Sequence, residues 1–418
     1  ARAAPDSGGA SSFSLPIMFD FDEAQKRLSE AGPRPTRTES VPLDQAEGRV
    51  LARPVTAQVD LPPADNSAMD GYALRHADAQ AGRRLPIQQR CYAGQAPEPL
   101  KPGHAIRLFT GSLVPDNADT VVMQEDCEEA DDTVIVRRAP AIGAHIRRRG
   151  EDVTAGRELF AAGTRLGAAE IALIASQGLA AIDAWPVLRI GILTTGDELV
   201  APGTSRRPEQ IYNSNGPMLA TLARGLGAQA THVLHALDTP ESLDRAFATL
   251  LADCDLILTV GGVSVGEKDL VKPAIENAGG TLDLWRVRMK PGKPVALAHA
   301  HGKPIVCLPG NPVSAFAVFT LLVSPLVRTM QGRHTVMPRV LYGTLDAGRD
   351  FDEPREEFLR VRYEASAHGT GTLVPYPHQG SGVISSLPWA DGLARIPANT
   401  HVTAGETVTY YDFKDWLA

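Results

Sequence analysis

Three short stretches carry residue types that phosphate chemistry needs. They are TTGDELV (Thr194–Val200), VGGVSVGEKD (Val260–Asp269) and LPGNPVSA (Leu308–Ala315). Glycine at Gly196, Gly261 and Gly262 lets backbone N–H groups approach an anion, and a helix start after Pro309 and Pro312, with Ser264 and Ser314 adding hydroxyls, favours negative charge. Any one such loop is explained as well by a tight turn; three at the ends of neighbouring strands are not. Carboxylates share these places: Asp197 and Glu198, Glu267 and Asp269, and Asp238 beyond another strand. Beside a phosphate site such groups hold Mg²⁺, which needs one or two protein ligands plus phosphate oxygens. Helix capping is the plainer account of Asp238. Neither GxGxxG before a helix nor GxxxxGK[ST] is present, which disfavours nicotinamide and Walker-type nucleotide binding.

Other stretches supply charge. WRVRMKPGKP carries Arg286, Arg288, Lys290 and Lys293; a strand would put Arg286 and Arg288 on one face, and the Pro291-Gly292 turn would bring the two lysines together as an anion pocket. LPPADNSAMDGYALR places Asn66, Ser67, Asp70 and Tyr72 in a stiff polar turn, and RRRGEDVTAG places Glu151 and Asp152 after a glycine. Each alone is an ordinary loop.

The elements that must position these groups follow from periodicity. VLRIGILTT, THVLHAL, DLILTVGG and IVCLPG are near-continuous apolar strands separated by amphipathic helices, one opening at Thr239-Pro240 with Leu243, Phe247, Leu250 and Leu251 on one face. That rhythm predicts a doubly wound, mostly parallel α/β domain over 187–330. Ligands of such sheets sit at the carboxyl ends of the strands, where all three loops fall. Pro/Gly-rich short strands predict a small β-domain over 53–152. Residues 16–52 with 153–186 are expected to form an elongated helical and β domain, in which the helix of FDFDEAQKRLSEAG pairs with that of GAAEIALIASQG. VLYGTLDA, EFLRVRYEA, GTLVPYP and ETVTYYDF predict a C-terminal β-barrel-like domain over 331–418, and 1–15 reads as a mobile tail.

With 418 residues, two to four domains are expected. The net charge of −8 and the lack of a long basic run argue against nucleic acid or an anionic membrane as partner. The four cysteines form no CxxC, so a zinc site or disulfide framework is not expected and a reducing cytoplasm is. The N-terminal stretch has no signal-peptide pattern. The apolar run from Val313 to Val327 is too short to span a bilayer and predicts a buried helix of a soluble protein.

Together PPADNSAMDGYALR, FTGSLVPDNADTVVMQED, RRRGEDVTAG, TTGDEL, IYNSNGPML, GGVSVGEKD, MKPGKP, LPGNPVSAF and EEFLRVR closely resemble the molybdopterin molybdenumtransferases, the MoeA family shared with the gephyrin E-domain. The resemblance runs over almost the whole chain. It implies insertion of molybdenum from molybdate into adenylylated molybdopterin, assisted by Mg²⁺, with release of AMP. It implies a homodimer whose active sites are shared between chains, with the molybdopterin adenylyltransferase and molybdoenzyme-specific chaperones as further partners. Carried over by motif, the catalytic set is Asp70, Thr110, Asp152, Glu198, Asp238 and Asp269, of which Glu198, Asp269 and Asp70 would face the metal. Gly196, Gly261, Gly262, Ser264, Arg286, Lys290, Lys293, Pro309, Pro312, Ser314, Arg360, Ser381 and Ser386 would meet substrate, with Lys290 and Arg360 offsetting the molybdate charge and one of the two late serines gripping it. Two alternatives remain open: the adenylyltransferase step, and a non-catalytic gephyrin-like scaffold. Only the insertase should release AMP on incubation with molybdate.

Overall fold

The computed structural model describes residues 18–262, 270–283, 286–366 and 369–418. Cα packing groups the chain into two compact units: 53–161 with 168–180, and the remainder.

The smaller unit is built on a six-stranded mixed sheet. Its strands are β1 (Gly71–Leu74), β2 (Arg84–Cys91), β3 (Ala105–Leu108), β4 (Thr120–Met123), β5 (Cys127–Ala130) and β6 (Thr133–Val136), in the order β4-β1-β3-β2-β6-β5. One face buries Tyr72, Leu74, Leu85 and Val122; the other buries Ala73, Ile106, Leu108 and Val121, as side chains that alternate along a strand must. Residues 153–161 and helix Ala168–Ser176, expected with the elongated domain, belong to this unit. The reason is local: Glu158–Phe160 pairs with Val55–Thr56, and the side-chain Oε1 of Gln177 accepts the N–H groups of Gln58 and Val59.

In the larger unit, helix α1 (Phe21–Ser29) starts at Asp20, whose carboxylate accepts the Glu23 N–H at 2.8 Å. Its Phe21, Ala24 and Leu28 enter the same core as Leu322, Leu326 and Val327. The expected pairing of this helix with 168–176 is therefore not formed, because its apolar stripe is covered by another helix. Strands Glu39–Pro42 and Ala181–Ala184 pair instead.

The central sheet holds β7 (Arg189–Thr195), β8 (Gln229–Ala236), β9 (Leu256–Val260), β10 (Thr281–Asp283), β11 (Ala296–Ala300) and β12 (Lys303–Leu308), ordered β8-β7-β9-β12-β11-β10. The first four in that order are parallel; β11 and β10 add an antiparallel edge. Helix α2 (Asn215–Gly225) joins β7 to β8. Helix α3 (Pro240–Asp253), capped by Thr239, joins β8 to β9 and buries Leu243, Phe247, Leu250 and Leu251 as its sequence requires. The apolar helix is longer than expected: a continuous Pro312–Met330 run with a π-helical stretch at Phe319–Val323. Its nineteen residues would cross a bilayer by length, but 94% of the window is buried, the position of a core helix.

The C-terminal part forms a barrel of five strands: β13 (Leu341–Leu345), β14 (Glu356–Glu364), β15 (Thr372–Pro375), β16 (Gly392–Ile396) and β17 (Thr407–Asp412). The order β14-β15-β13-β17-β16 closes through a β16–β14 pairing, which removes the free edges. The stretch from Arg286 to Lys290 is not one strand. Arg286–Val287 pairs with Met18–Phe19, whereas Met289–Lys290 pairs with β14, so Arg286 and Arg288 do not share a continuous strand face.

Candidate active site

The described parts of the three glycine loops lie at one edge. They follow β7, β9 and β12, adjacent strands of the parallel sheet. A Cβ built on Gly261 would stand 3.0 Å from Thr195 Oγ1, and one on Gly310 would reach the Gly261 Cα at 4.0 Å. Gly196, Gly261 and Gly262 have φ of +137°, +93° and +65°, so glycine is favoured at each on backbone grounds alone. A Cβ on Gly196 would also lie 2.7 Å from Glu198 Oε1, because that carboxylate folds back over the glycine. Bare backbone beneath an exposed carboxylate is the outcome.

Polar side chains join these loops to one another. Asp197 Oδ1 accepts the backbone N–H of Asp238 at 3.1 Å, linking the ends of β7 and β8. Asp238 is thus no helix cap; Thr239 has that role. Asn213 Nδ2 donates to Thr194 Oγ1 at 2.8 Å, and Asn215 Nδ2 donates to the Gly310 carbonyl at 2.7 Å. The remaining amide oxygen of Asn215 is buried without a partner. The residue-by-residue reading missed both asparagines; their signal was the N-S-N-G-P start of α2. Pro312 and Ser314 lie in the first turn of the core helix, with Pro309 and Ser314 buried and Asn311 exposed at the loop tip. Ser264, Glu267 and Asp269 lie outside the described residues.

The barrel brings further groups to this edge. Asn311 Nδ2 donates to Ser381 Oγ at 3.0 Å, which places Ser381 beside the third loop. Ser386 is fully buried, accepts from Arg360 Nε and donates to the Val383 carbonyl. Of the two late serines, Ser386 is engaged inside the barrel and Ser381 is the accessible one.

Arg360 departs from its expected role. It is 1% exposed, and its guanidinium donates to Ser386 Oγ and to the carbonyls of His378, Gln379 and Gly380. Burial pushes its pKa down to about 10. With four acceptors already served by five N–H groups, it braces the 378–381 loop rather than gripping an oxyanion. Gln379 completes the brace through the Arg360 backbone, accepting its N–H and donating to its carbonyl.

Lys290 is also engaged. Its Nζ lies 2.8 Å from Glu353 and 3.2 Å from Glu357, a carboxylate 2% exposed with one oxygen unpartnered. Desolvation opposes the lysine charge, but the bond to Glu353 and the charge of Glu357 prevail and raise its pKa. The expected Lys290–Lys293 pocket is not formed: Lys293 is exposed, and Lys290 is turned to the barrel. Neither glutamate was foreseen, because both stand some sixty residues downstream and only the β14 register delivers them.

In the smaller unit, Asp70 and Thr110 meet. Asp70 Oδ1 accepts both the backbone N–H and the hydroxyl of Thr110 at 2.8 Å. These two donors, the backbone one foremost, hold the Asp70 carboxyl below the usual carboxylate range. The two loops that looked ordinary apart are clasped together. Asp65 accepts from the Arg149 N–H and from Arg148, and Asp60 accepts from the Ala155 N–H and from Arg149. Asp152 is exposed on that clasp, its N–H donated to the Leu61 carbonyl. The two clusters, strand-end loops and Asp70–Thr110, each stand within their own unit.

Comparison with known proteins extends this description. Sequence profiles for the MoeA N-terminal region (domain I and II) match 19–178, for a probable molybdopterin binding domain 191–329, and for the MoeA C-terminal region (domain IV) 342–413. The molybdopterin molybdenumtransferase of Haemophilus influenzae is 33% identical over 96% of this chain and 100% of its own length. Molybdopterin molybdenumtransferase 2 of Mycobacterium tuberculosis is 36% identical over 94% of this chain and 100% of its own. A solved molybdopterin biosynthesis MoeA protein of Pyrococcus horikoshii superimposes with a TM-score of 0.78 at 30% identity, covering 96% of this chain and 100% of that one.

Proposed function

The chain belongs to the MoeA family of molybdopterin molybdenumtransferases, enzymes of molybdenum cofactor biosynthesis, and from that premise we propose how its residues carry the reaction. The substrate is adenylylated molybdopterin, its pyrophosphate lying across the three strand-end loops and its metal supplied as molybdate. The observation that carries this reading is the approach of Gly310 to Gly261 and of Gly261 to Thr195, next to Gly196 with the exposed Glu198 folded over it, which offers backbone donors and a hard anionic ligand on one edge.

Among the described residues no three His, Cys, Asp or Glu side chains converge as a metal cage. Mg²⁺ held mainly by phosphate oxygens needs no cage, and Glu198 fits that demand, with Asp269, carried over by motif, as its expected second ligand. The ion would neutralise charge on the phosphoanhydride as it is cleaved. The chain itself orients the substrate: Asn215 and Gly310 fix the third loop, and Asn311 with Ser381 offers hydroxyl and amide donors to the molybdate oxygens. Asp70, kept anionic by Thr110, orients a water or completes the magnesium shell.

The working form is a homodimer, in which the Asp70–Thr110 pair of one chain completes the strand-end site of the other. That Oδ1 takes both Thr110 bonds supports this, since neither engages the second carboxylate oxygen of Asp70. The cytoplasm is the proposed compartment, supported by the free thiols of Cys91, Cys127 and Cys254. The test is release of AMP from adenylylated molybdopterin with molybdate and Mg²⁺. Wild type should release it, and Glu198→Ala should lose at least about a hundredfold in rate, the scale of removing one electrostatic contact to developing charge. Full Mg²⁺-dependent release by Glu198→Ala would remove the metal assignment.

A further inference from the structure

A stack of aromatic rings stands beside the Asp70–Thr110 pair in the smaller unit. Tyr92 and Phe109 lie face to face, their ring centres 4.5 Å apart and their planes 7° from parallel. Strand register produces this contact: Cys91 of β2 pairs with Leu108 of β3, so the next residue of each meets its counterpart. Arg107 lies over the rings of both Phe109 and Tyr72, 5.0 and 4.8 Å from their centres. Its guanidinium is itself fixed, donating to the Gly71 carbonyl and to Gln124. The stack and the acid share backbone, since Thr110 follows Phe109 and Gly71 follows Asp70.

The outermost ring is held but not covered. A turn fixes Tyr92: its N–H donates to Gln95 Oε1 at 3.1 Å, and its carbonyl accepts the Gln95 N–H at 3.0 Å. Phe109 takes one face of the ring, yet Tyr92 remains 51% exposed, so the open area belongs to the opposite face and the rim. Met69 and Leu113, both exposed, stand one residue before Asp70 and three after Thr110. Large apolar side chains scattered singly on a surface call for no explanation; three of them framing one carboxylate–hydroxyl pair mark a contact surface. Shielding Phe109 would need only an aliphatic cover. A ring parallel to Phe109, in a stack backed by the buried Arg107 cation, adds a flat face, and such a face favours offset stacking of a planar ring.

We propose that the open face of Tyr92 stacks a planar nitrogen heterocycle of the substrate beside the Asp70–Thr110 pair. The proposal rests on the reading of the substrate as adenylylated molybdopterin, which carries two such rings, adenine and the pyrimidinone of the pterin. Stacking is the chemistry common to both. Tyr92 touches the substrate away from the bonds that change, so its loss acts on KM.

The whole chain is tested by AMP release and, independently of turnover, by equilibrium dialysis with AMP in one arm and pterin in the other. Tyr92→Ala should raise the KM for adenylylated molybdopterin at least about fivefold, the lower value for one stacked ring, and change kcat less. Tyr92→Leu, which still covers Phe109, should lose as much; Tyr92→Phe, which restores the plane, should regain most of the loss. The dialysis arm in which Tyr92→Ala weakens binding by a similar factor names the ring. A wild type that binds in either arm but releases no AMP would refute the substrate reading and leave the stacking to be decided by these affinities. Wild-type KM and affinities in Tyr92→Ala, an equal loss in Tyr92→Phe, or no loss in Tyr92→Leu would each overturn the proposal. So would a KM rise that disappears at protein concentrations restoring the dimer, read by light scattering, since Tyr92 would then be an interface residue.

Discussion

Replacing Lys290 by methionine separates two accounts of that lysine. If it serves mainly to balance the barrel, its loss leaves Glu357 charged, 2% exposed and already short of one hydrogen bond. Breaking a buried pair by removing one partner costs about 3–5 kcal/mol, more than the pair itself contributes, because the survivor is stranded. Two features reduce the figure here: Lys290 is one-third exposed, and Arg349 remains 3.7 Å from Glu357. A loss of about 2–3 kcal/mol is expected, which corresponds to roughly 30- to 150-fold less protection of backbone amides. Hydrogen exchange read on peptides spanning β14 is the suitable assay, since it reports the barrel locally in a chain of several domains. Adding Glu357→Gln to Lys290→Met should restore at least half of the lost protection, because a neutral amide needs no counter-charge. Unchanged β14 protection in Lys290→Met, together with a large rise in the molybdate KM, would refute the structural reasoning and return Lys290 to the oxyanion.

Three further outcomes are expected. Gly196→Ala should cost about 1–3 kcal/mol in backbone strain at φ +137° and displace the Glu198 carboxylate, so AMP release should fall more than thermal stability does. Asp70→Asn should keep the fold but lose turnover. In the native protein the depressed Asp70 pKa means its charge, and the small stability tied to it, is present above the ordinary carboxylate range and lost only as pH falls through the lower folded value; an acid limb of the rate that disappears in Asp70→Asn at pH 5 would contradict this. Arg360→Lys should leave the part-buried carbonyls at 378–380 with fewer donors, at about 1–3 kcal/mol for each one that water does not reach, and should raise the molybdate KM through Ser381 more than it lowers kcat. An unaltered KM would show that the loop does not depend on the guanidinium.

What the sequence alone determined was whatever depends on neighbours along the chain. The apolar runs of β7, β8, β9 and β12 and the Thr239-capped helix follow from local periodicity, and so did the edge on which the glycine loops fall. The positive φ at Gly196 and Gly261 was implicit in the residue type. What only the tertiary structure decided was which long side chains spend their charge on each other. Arg360 and Lys290 stand in motifs that look like anion grips, yet β14 and the 378–381 loop bring carbonyls and glutamates to them first. The same distinction separates α1 from its expected partner, since an apolar stripe states that a helix is buried but not against what. It also joins Asp70 to Thr110 and Asp65 to Arg148, pairs separated by 40 and 83 residues. A hydrogen bond or ion pair is fixed by position within a few tenths of an ångström, and sheet register sets that position, which no periodicity encodes.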